Sequence, residues 1–198
     1  MKTKTKMKTI NKITLVVAKI MEVFHWFGVL LTSVMAVCSI VARDSLKAIL
    51  ESGVPEYGTE VTTYGSFNVN PVFADGTVNM TCMTIFFIGS AVIIGLMAMV
   101  FRNVYLIIKT AEGRTKYSEG NTPFQKNIVR MTREIGIFLI SIPAVSVVFG
   151  VLAQLIGHTG TMQITIGLES LIIGLFVLCL SQFFNYGKQL QGDVDGLV

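Results

Sequence analysis

Histidine and cysteine are scarce, with two of the first and three of the second in 198 residues, and each scarcity excludes a class of chemistry. Cys38, Cys82 and Cys179 show no C-x-x-C spacing and no histidine at metal-site spacing, so neither a zinc site nor a redox pair is indicated. They read as small apolar fillers. One bridge stays open to an oxidising exterior, between Cys38 and Cys82, which fall near the same predicted membrane face. Glu22-x-x-His25 resembles half of a di-iron helix motif, but the second E-x-x-H and the two further carboxylates are missing. Paired carboxylates and a Ser/His/Asp set are also missing, with His25 near one membrane face and His158 near the other. No enzyme, cofactor or metal is expected.

Charge is sparse as well, at 14% of residues against 52% hydrophobic, with a mean hydropathy of +0.66. That lies outside the usual soluble range. The apolar residues cluster into four nearly uncharged runs of about 19 residues or more, enough to cross a ~30 Å hydrocarbon core at ~1.5 Å per residue. The sequence predicts an all-α, four-span membrane protein forming a single membrane domain over 1–198, with spans near 23–42, 83–101, 135–156 and 164–184.

Charge distribution sets the expected threading. Lys2, Lys4, Lys6, Lys8, Lys12 and Lys19 precede the first span, whose apolar run is too long for a signal peptide. From Arg43 to Asn79 there are two basic and five acidic residues, whereas Arg102 to Glu134 holds seven basic and three acidic. The positive-inside rule then puts both termini and the 102–134 loop in the cytoplasm and the 43–82 loop outside.

Local patterns refine this. Ile13, Val16, Val17 and Ile20 recur at helical spacing, so the first helix begins along or rises gradually into the membrane, and Trp26 beside His25 suits an interface. Arg43–Gly53 can extend it into solvent, with Leu46, Ile49 and Leu50 on one side and Gly53 as terminator. Alternation over 61–69 and the Asp75-Gly76 turn predict a small β-element, with Pro71 at an edge or break. Asn79-Met80-Thr81 matches the N-glycosylation pattern, informative only in a eukaryotic secretory setting. Pro143 should kink the third span unless neighbours compensate, and 157–163 reads as a short outside turn. Small residues four apart, Gly28-Thr32-Ala36, Ala91-Gly95, Ser146-Gly150 and Ser170-Gly174, mark seams for a packed bundle or for self-association.

Two sets of residues are candidates for function. Thr122-x-x-Gln125 with Pro123 reads as a capping box opening an amphipathic interfacial helix. On it Phe124, Ile128, Met131 and Ile135 share one side, while Lys126, Arg130 and Arg133 lie opposite. That basic face suits anionic lipid or an acidic cytosolic protein. Direct nucleic-acid binding is not expected, because stacking aromatics and DNA-reading motifs are lacking. The second set is Glu169, the one acid near a span interior, which could pair with Arg43 to orient the bundle or, with Gln154, form a transport or ligand site.

The Gly120-Asn121-Thr122-Pro123-Phe124 start with Asn127, Arg130 and Ile135-Gly136, together with Phe184–Gln191 and Asp195-Gly196-Leu197-Val198, resembles the bacterial membrane-protein family of unknown function typified by YoaS. The likeness covers the four spans and most of the chain. It implies a four-span protein of the bacterial plasma membrane, frequently encoded beside a small helix-turn-helix regulator. No catalytic residues follow from it. The function expected is a non-enzymatic membrane regulator or sensor holding a small cytosolic partner, and the alternative is transport through Glu169.

Overall fold

The computed structural model describes residues 2–53, 61–63, 67–69, 71–72, 77–119, 124–157 and 167–195. Among these lie the helices α1 (Lys2–Val41), α2 (Arg43–Gly53), α3 (Met80–Ala111), α4 (Lys126–Gly157) and α5 (Leu168–Asp195), with strands β1 (Val61–Thr63) and β2 (Phe67–Val69) between α2 and α3. Four helices, α1, α3, α4 and α5, are long and apolar enough to cross a membrane, as in a multi-pass membrane protein. Each exceeds its expected span. Polar helix formers flank the apolar runs, so nothing in the backbone stops the helix where the apolar run ends. Pro143 falls inside α4, which continues through it. The Asp75-Gly76 turn, the 158–163 connection with His158, and the last three residues lie outside the described residues.

The chain divides into two compact units interleaved along the sequence. Unit 2 comprises Trp26–Gly95 and Ser141–Leu168. After Val41 a turn at Ala42 separates α1 from α2, although the hydrogen bonds Ala42 N–H to Cys38 O (2.9 Å) and Leu46 N–H to Ala42 O (2.9 Å) carry the helical pattern across it. Leu46 is buried, whereas Ile49 is exposed. β1 and β2 pair antiparallel, Val61 opposite Val69 and Thr63 opposite Phe67. Phe67 is the main anchor of this connection. Its ring stacks on Phe86 (5.4 Å), meets Phe149 edge-on (6.3 Å), and occupies space that a β-carbon at Gly89 would invade at 2.7 Å.

The start of α3 explains the next residues. Asn79 Oδ1 accepts the Cys82 N–H (3.1 Å), an N-cap that satisfies one of the orphan donors of the first turn. Asn79 is only 7% exposed, so the N-x-T pattern here belongs to a cap. Its own N–H donates to Pro71 O (2.6 Å), and Glu51 Oε1 accepts the Val78 N–H (3.0 Å), tying the connection to α2. Cys82 is fully buried, Cys38 half-buried, and both are free thiols. Small residues sit at contacts between α1 and α3. A β-carbon at Gly28 would lie 3.2 Å from Ile94 Cγ2, and one at Gly95 would lie 3.7 Å from Val29 Cγ2.

Unit 1 comprises Met1–His25, Leu96–Ile140 and Glu169–Val198. A close helix approach joins α4 and α5. A β-carbon at Gly136 would come within 2.9 Å of Gly174 O, and one at Gly174 within 3.0 Å of Gly136 O. Glycine is required at both because the obstacle is backbone, which cannot rotate away. Gly174 belongs to a seam the four-residue spacing marks; its partner Gly136 does not.

Candidate functional site

The candidate surface lies in unit 1, and its scaffold begins where α3 ends. Gly113 adopts φ 71°, a left-handed backbone that costs glycine nothing. Gly113 N–H then donates to Thr110 O (3.1 Å) and Arg114 N–H to Lys109 O (2.9 Å), the paired bonds of a Schellman termination. The chain leaving Gly113 is fastened by polar side chains. The hydroxyls of Thr110 and Thr115 share a hydrogen bond (2.8 Å), Ser118 Oγ donates to Thr110 O (3.1 Å), and Asn127 Nδ2 donates to Tyr117 O (2.9 Å).

Gln125 completes this fastening. Its Oε1 accepts the Glu119 N–H (2.9 Å) and its Nε2 lies 3.5 Å from Thr110 O, at the limit of a hydrogen bond. The side chain is therefore engaged with the preceding connection. The expected partners in its capping box, Thr122 and Pro123, lie outside the described residues. The α-helix itself starts at Lys126, with Val129 N–H donating to Gln125 O (3.1 Å).

From this start, α4 separates its two sides as the angular pattern requires. Ile128, Met131 and Ile135 are buried, while Lys126, Arg130 and Arg133 are exposed. The amphipathic segment is thus the first turns of α4, with its apolar stripe packed into unit 1. Phe124 rests over Gly187 of α5, whose β-carbon would meet the ring at 2.5 Å, and beside Phe184 (6.1 Å). Arg130 Nε pairs with Glu134 Oε1 (3.3 Å), and Glu134 Oε2 accepts from Asn103 of α3 (3.1 Å).

Unit 1 also carries basic residues on α1 and α3. Lys19 Nζ pairs with Glu22 (3.0 Å), and both Lys19 (5.3 Å) and Lys109 (4.7 Å) lie over the Tyr105 ring, a cation–π arrangement. Asn11 and Arg114 both reach Glu112, at 3.5 and 3.2 Å. By sequence, unit 1 holds 14 of the 16 basic residues and 7 of the 12 acidic, a net of +7; unit 2 holds the remaining two basic and five acidic, a net of −3.

The other candidates lie elsewhere. Because α5 begins at Leu168, Glu169 falls in its first turn, exposed, where a carboxylate complements unpaired N–H groups. Gln154 is exposed on α4. Arg43, also exposed, lies 3.4 Å from the Thr81 hydroxyl. Glu169 belongs to unit 1, Arg43 and Gln154 to unit 2. His25 is buried, its Nδ1 2.6 Å from Met21 O and its ring 5.0 Å from that of Phe101. Among the described residues no group of three or more His, Cys, Asp or Glu is placed to hold a metal ion.

Lys126, Arg130 and Arg133 are thus exposed on a helix whose start is hydrogen-bonded to the preceding connection. Sequence reasoning missed the Thr110–Asn127 fastening; its signal was the run of Thr, Ser, Asn and Gln that follows Gly113. Comparison with the known protein families, with curated proteins and with solved structures gives no match.

Proposed function

We propose that the protein is a non-enzymatic regulator or sensor of the bacterial plasma membrane, with both termini cytoplasmic, whose basic cytosolic surface holds a small cytosolic partner of the helix-turn-helix type. The observation that carries this reading is the exposure of Lys126, Arg130 and Arg133 on a helix whose apolar side is already spent inside unit 1. The three cations are therefore free of the helix's packing role. Because the preceding connection is hydrogen-bonded in place, they form a preorganised surface, which lowers the ordering cost of binding an acidic partner. The YoaS-type resemblance supplies the class of partner, and the positive-inside rule the orientation.

Transport through Glu169 is the weaker reading, since Glu169, Gln154 and Arg43 are all exposed and Glu169 occupies a helix end. Co-purification from mild detergent tests the proposal. A cytosolic protein should be retained by the native chain and lost when Lys126, Arg130 and Arg133 are together changed to Glu. Failure to retain any such protein, or retention indifferent to the charge reversal, would overturn it.

A further inference from the structure

Within unit 1, α1 and α3 run antiparallel, as three contacts in step along them show: His25 with Phe101, Lys19 with Tyr105, and Asn11 with Glu112. The middle contact gathers charge. Lys19 Nζ lies 5.3 Å and Lys109 Nζ 4.7 Å from the centroid of the Tyr105 ring, so two ammonium groups from different helices stand no more than about 10 Å apart. A ring face attracts a cation but cancels none of its charge. The acids close by are engaged: Glu22 pairs with Lys19 (3.0 Å), and Glu112 is reached by Arg114 (3.2 Å) and Asn11 (3.5 Å). Among the described residues no carboxylate pairs with Lys109.

The depth of this cluster points to lipid chemistry. Lys19 stands four residues before the apolar run that starts at Val23, and Tyr105 four residues after the run that ends at Phe101. Each is therefore about 6 Å along its helix from the edge of the hydrocarbon, at the level of the headgroups, where tyrosine is enriched. Lys109 is one turn further out, yet its ammonium lies back at the Tyr105 ring and the residue is half-buried. A lysine with nothing to meet there would extend its charged head away into water. Ile20 and Val23, which follow Lys19 toward the membrane, are each more than half exposed. An isolated anion would leave that apolar surface uncovered, whereas a phospholipid covers it with its chains while its phosphate meets the cations.

We infer that Lys19 and Lys109, gathered over Tyr105, bind the phosphate of an anionic phospholipid at the membrane surface. The two non-bridging oxygens of a phosphodiester accept hydrogen bonds from both ammonium groups, Lys19 giving donors that Glu22 leaves unused, and the acyl chains run down over Ile20 and Val23. A choline or ethanolamine headgroup would bring a third cation to the cluster, so the preferred lipid carries a net negative charge. This site is separate from Lys126, Arg130 and Arg133 and needs no cytosolic partner, so it fails or survives independently of the regulator reading.

The test is native mass spectrometry of the full chain released from micelles holding equal amounts of phosphatidylglycerol and phosphatidylcholine. The native chain should retain phosphatidylglycerol roughly tenfold over phosphatidylcholine, the scale of two cations acting on one phosphate. Lys19→Gln with Lys109→Gln should bring the ratio to near one, whereas Lys19→Arg with Lys109→Arg should keep it because the charge stays in place. Tyr105→Leu, which removes the ring that gathers the two cations, should lower it several-fold. Lys116→Gln with Lys126→Gln takes the same charge from exposed positions outside the cluster and should leave the ratio unchanged. Competition on the native chain needs no substitution: millimolar inorganic phosphate should leave the bound lipid in place. Equal retention of the two lipids, or a loss as large from the Lys116 and Lys126 pair as from the Lys19 and Lys109 pair, would overturn the proposal. Displacement of the lipid by inorganic phosphate would show a free-anion site and overturn it as well.

Discussion

Unit 2 centres on rings and methyl groups, with Glu51, Asn79 and the Ser39–Thr84 pair adding polar ties: Phe67 fills the notch at Gly89 between Phe86 and Phe149, and Cys82, Ile93 and Ala153 are fully buried. Unit 1 leans on side-chain hydrogen bonds and ion pairs, among them the Thr110–Asn127 fastening, Arg130–Glu134–Asn103 and Lys19–Glu22. Both solve the same problem of binding long helices together, with different materials. Apolar packing resists opening but offers a partner no direction. A polar network costs desolvation and returns defined geometry. The net charges, +7 and −3, follow the same division.

Breaking the apolar plug should have the largest effect. Phe67→Ala removes a nearly fully buried ring and should cost about 3–5 kcal/mol. Thiol labelling in detergent reads it locally. Cys82, protected in the native protein, should become reactive, while exposed Cys179 of unit 1 labels at an unchanged rate. Equal acceleration at both thiols would mean that the units do not open separately.

The corresponding break in unit 1 is Gly136→Ala, which sets a methyl group 2.7 Å from Leu178 Cγ and 2.9 Å from Gly174 O. Overpacking of this kind costs about 1–3 kcal/mol. Gly192→Ala, where nothing lies within 4 Å, should be neutral or slightly stabilising. A thermal midpoint that falls for the first and holds for the second would attribute the loss to the close approach and not to the loss of glycine.

Smaller effects sharpen the comparison. Asn79→Ala deletes the cap of α3 and should lower stability by ~1 kcal/mol, with Asn79→Asp restoring most of it because an ionised carboxylate also accepts the Cys82 N–H. Glu169→Gln should matter least, at roughly 0.3–1 kcal/mol for an acid in a first turn. If it instead abolished uptake or binding of a small solute without changing the thermal midpoint, the transport reading would displace the regulator.

The four long helices were legible because a membrane span needs a long uncharged run, whereas a soluble core of this size does not. The two sides of early α4 were legible because the 3.6-residue period separates Ile128, Met131 and Ile135 from Lys126, Arg130 and Arg133 over three turns. Helix ends were less so. The expected spans stop where hydrophobicity stops, but helical hydrogen bonding continues through Lys109 and as far as Asp195. Glu169 shows the consequence: placed five residues into a span starting at Ile164, it reads as intramembrane, whereas in a helix starting at Leu168 it sits in the first turn.

Sequence alone determined the number of long helices, the sign of charge along the chain and the side of α4 that carries it, all consequences of local periodicity and transfer energetics. Tertiary structure decided the pairings. Phe67 against Gly89, Gly136 against Gly174, Gln125 with Glu119, and the choice of Asn11, Glu22 and His25 as the inward side of α1 depend on residues distant in the chain. No local period encodes them, because each exists only once separate segments have been brought within contact distance.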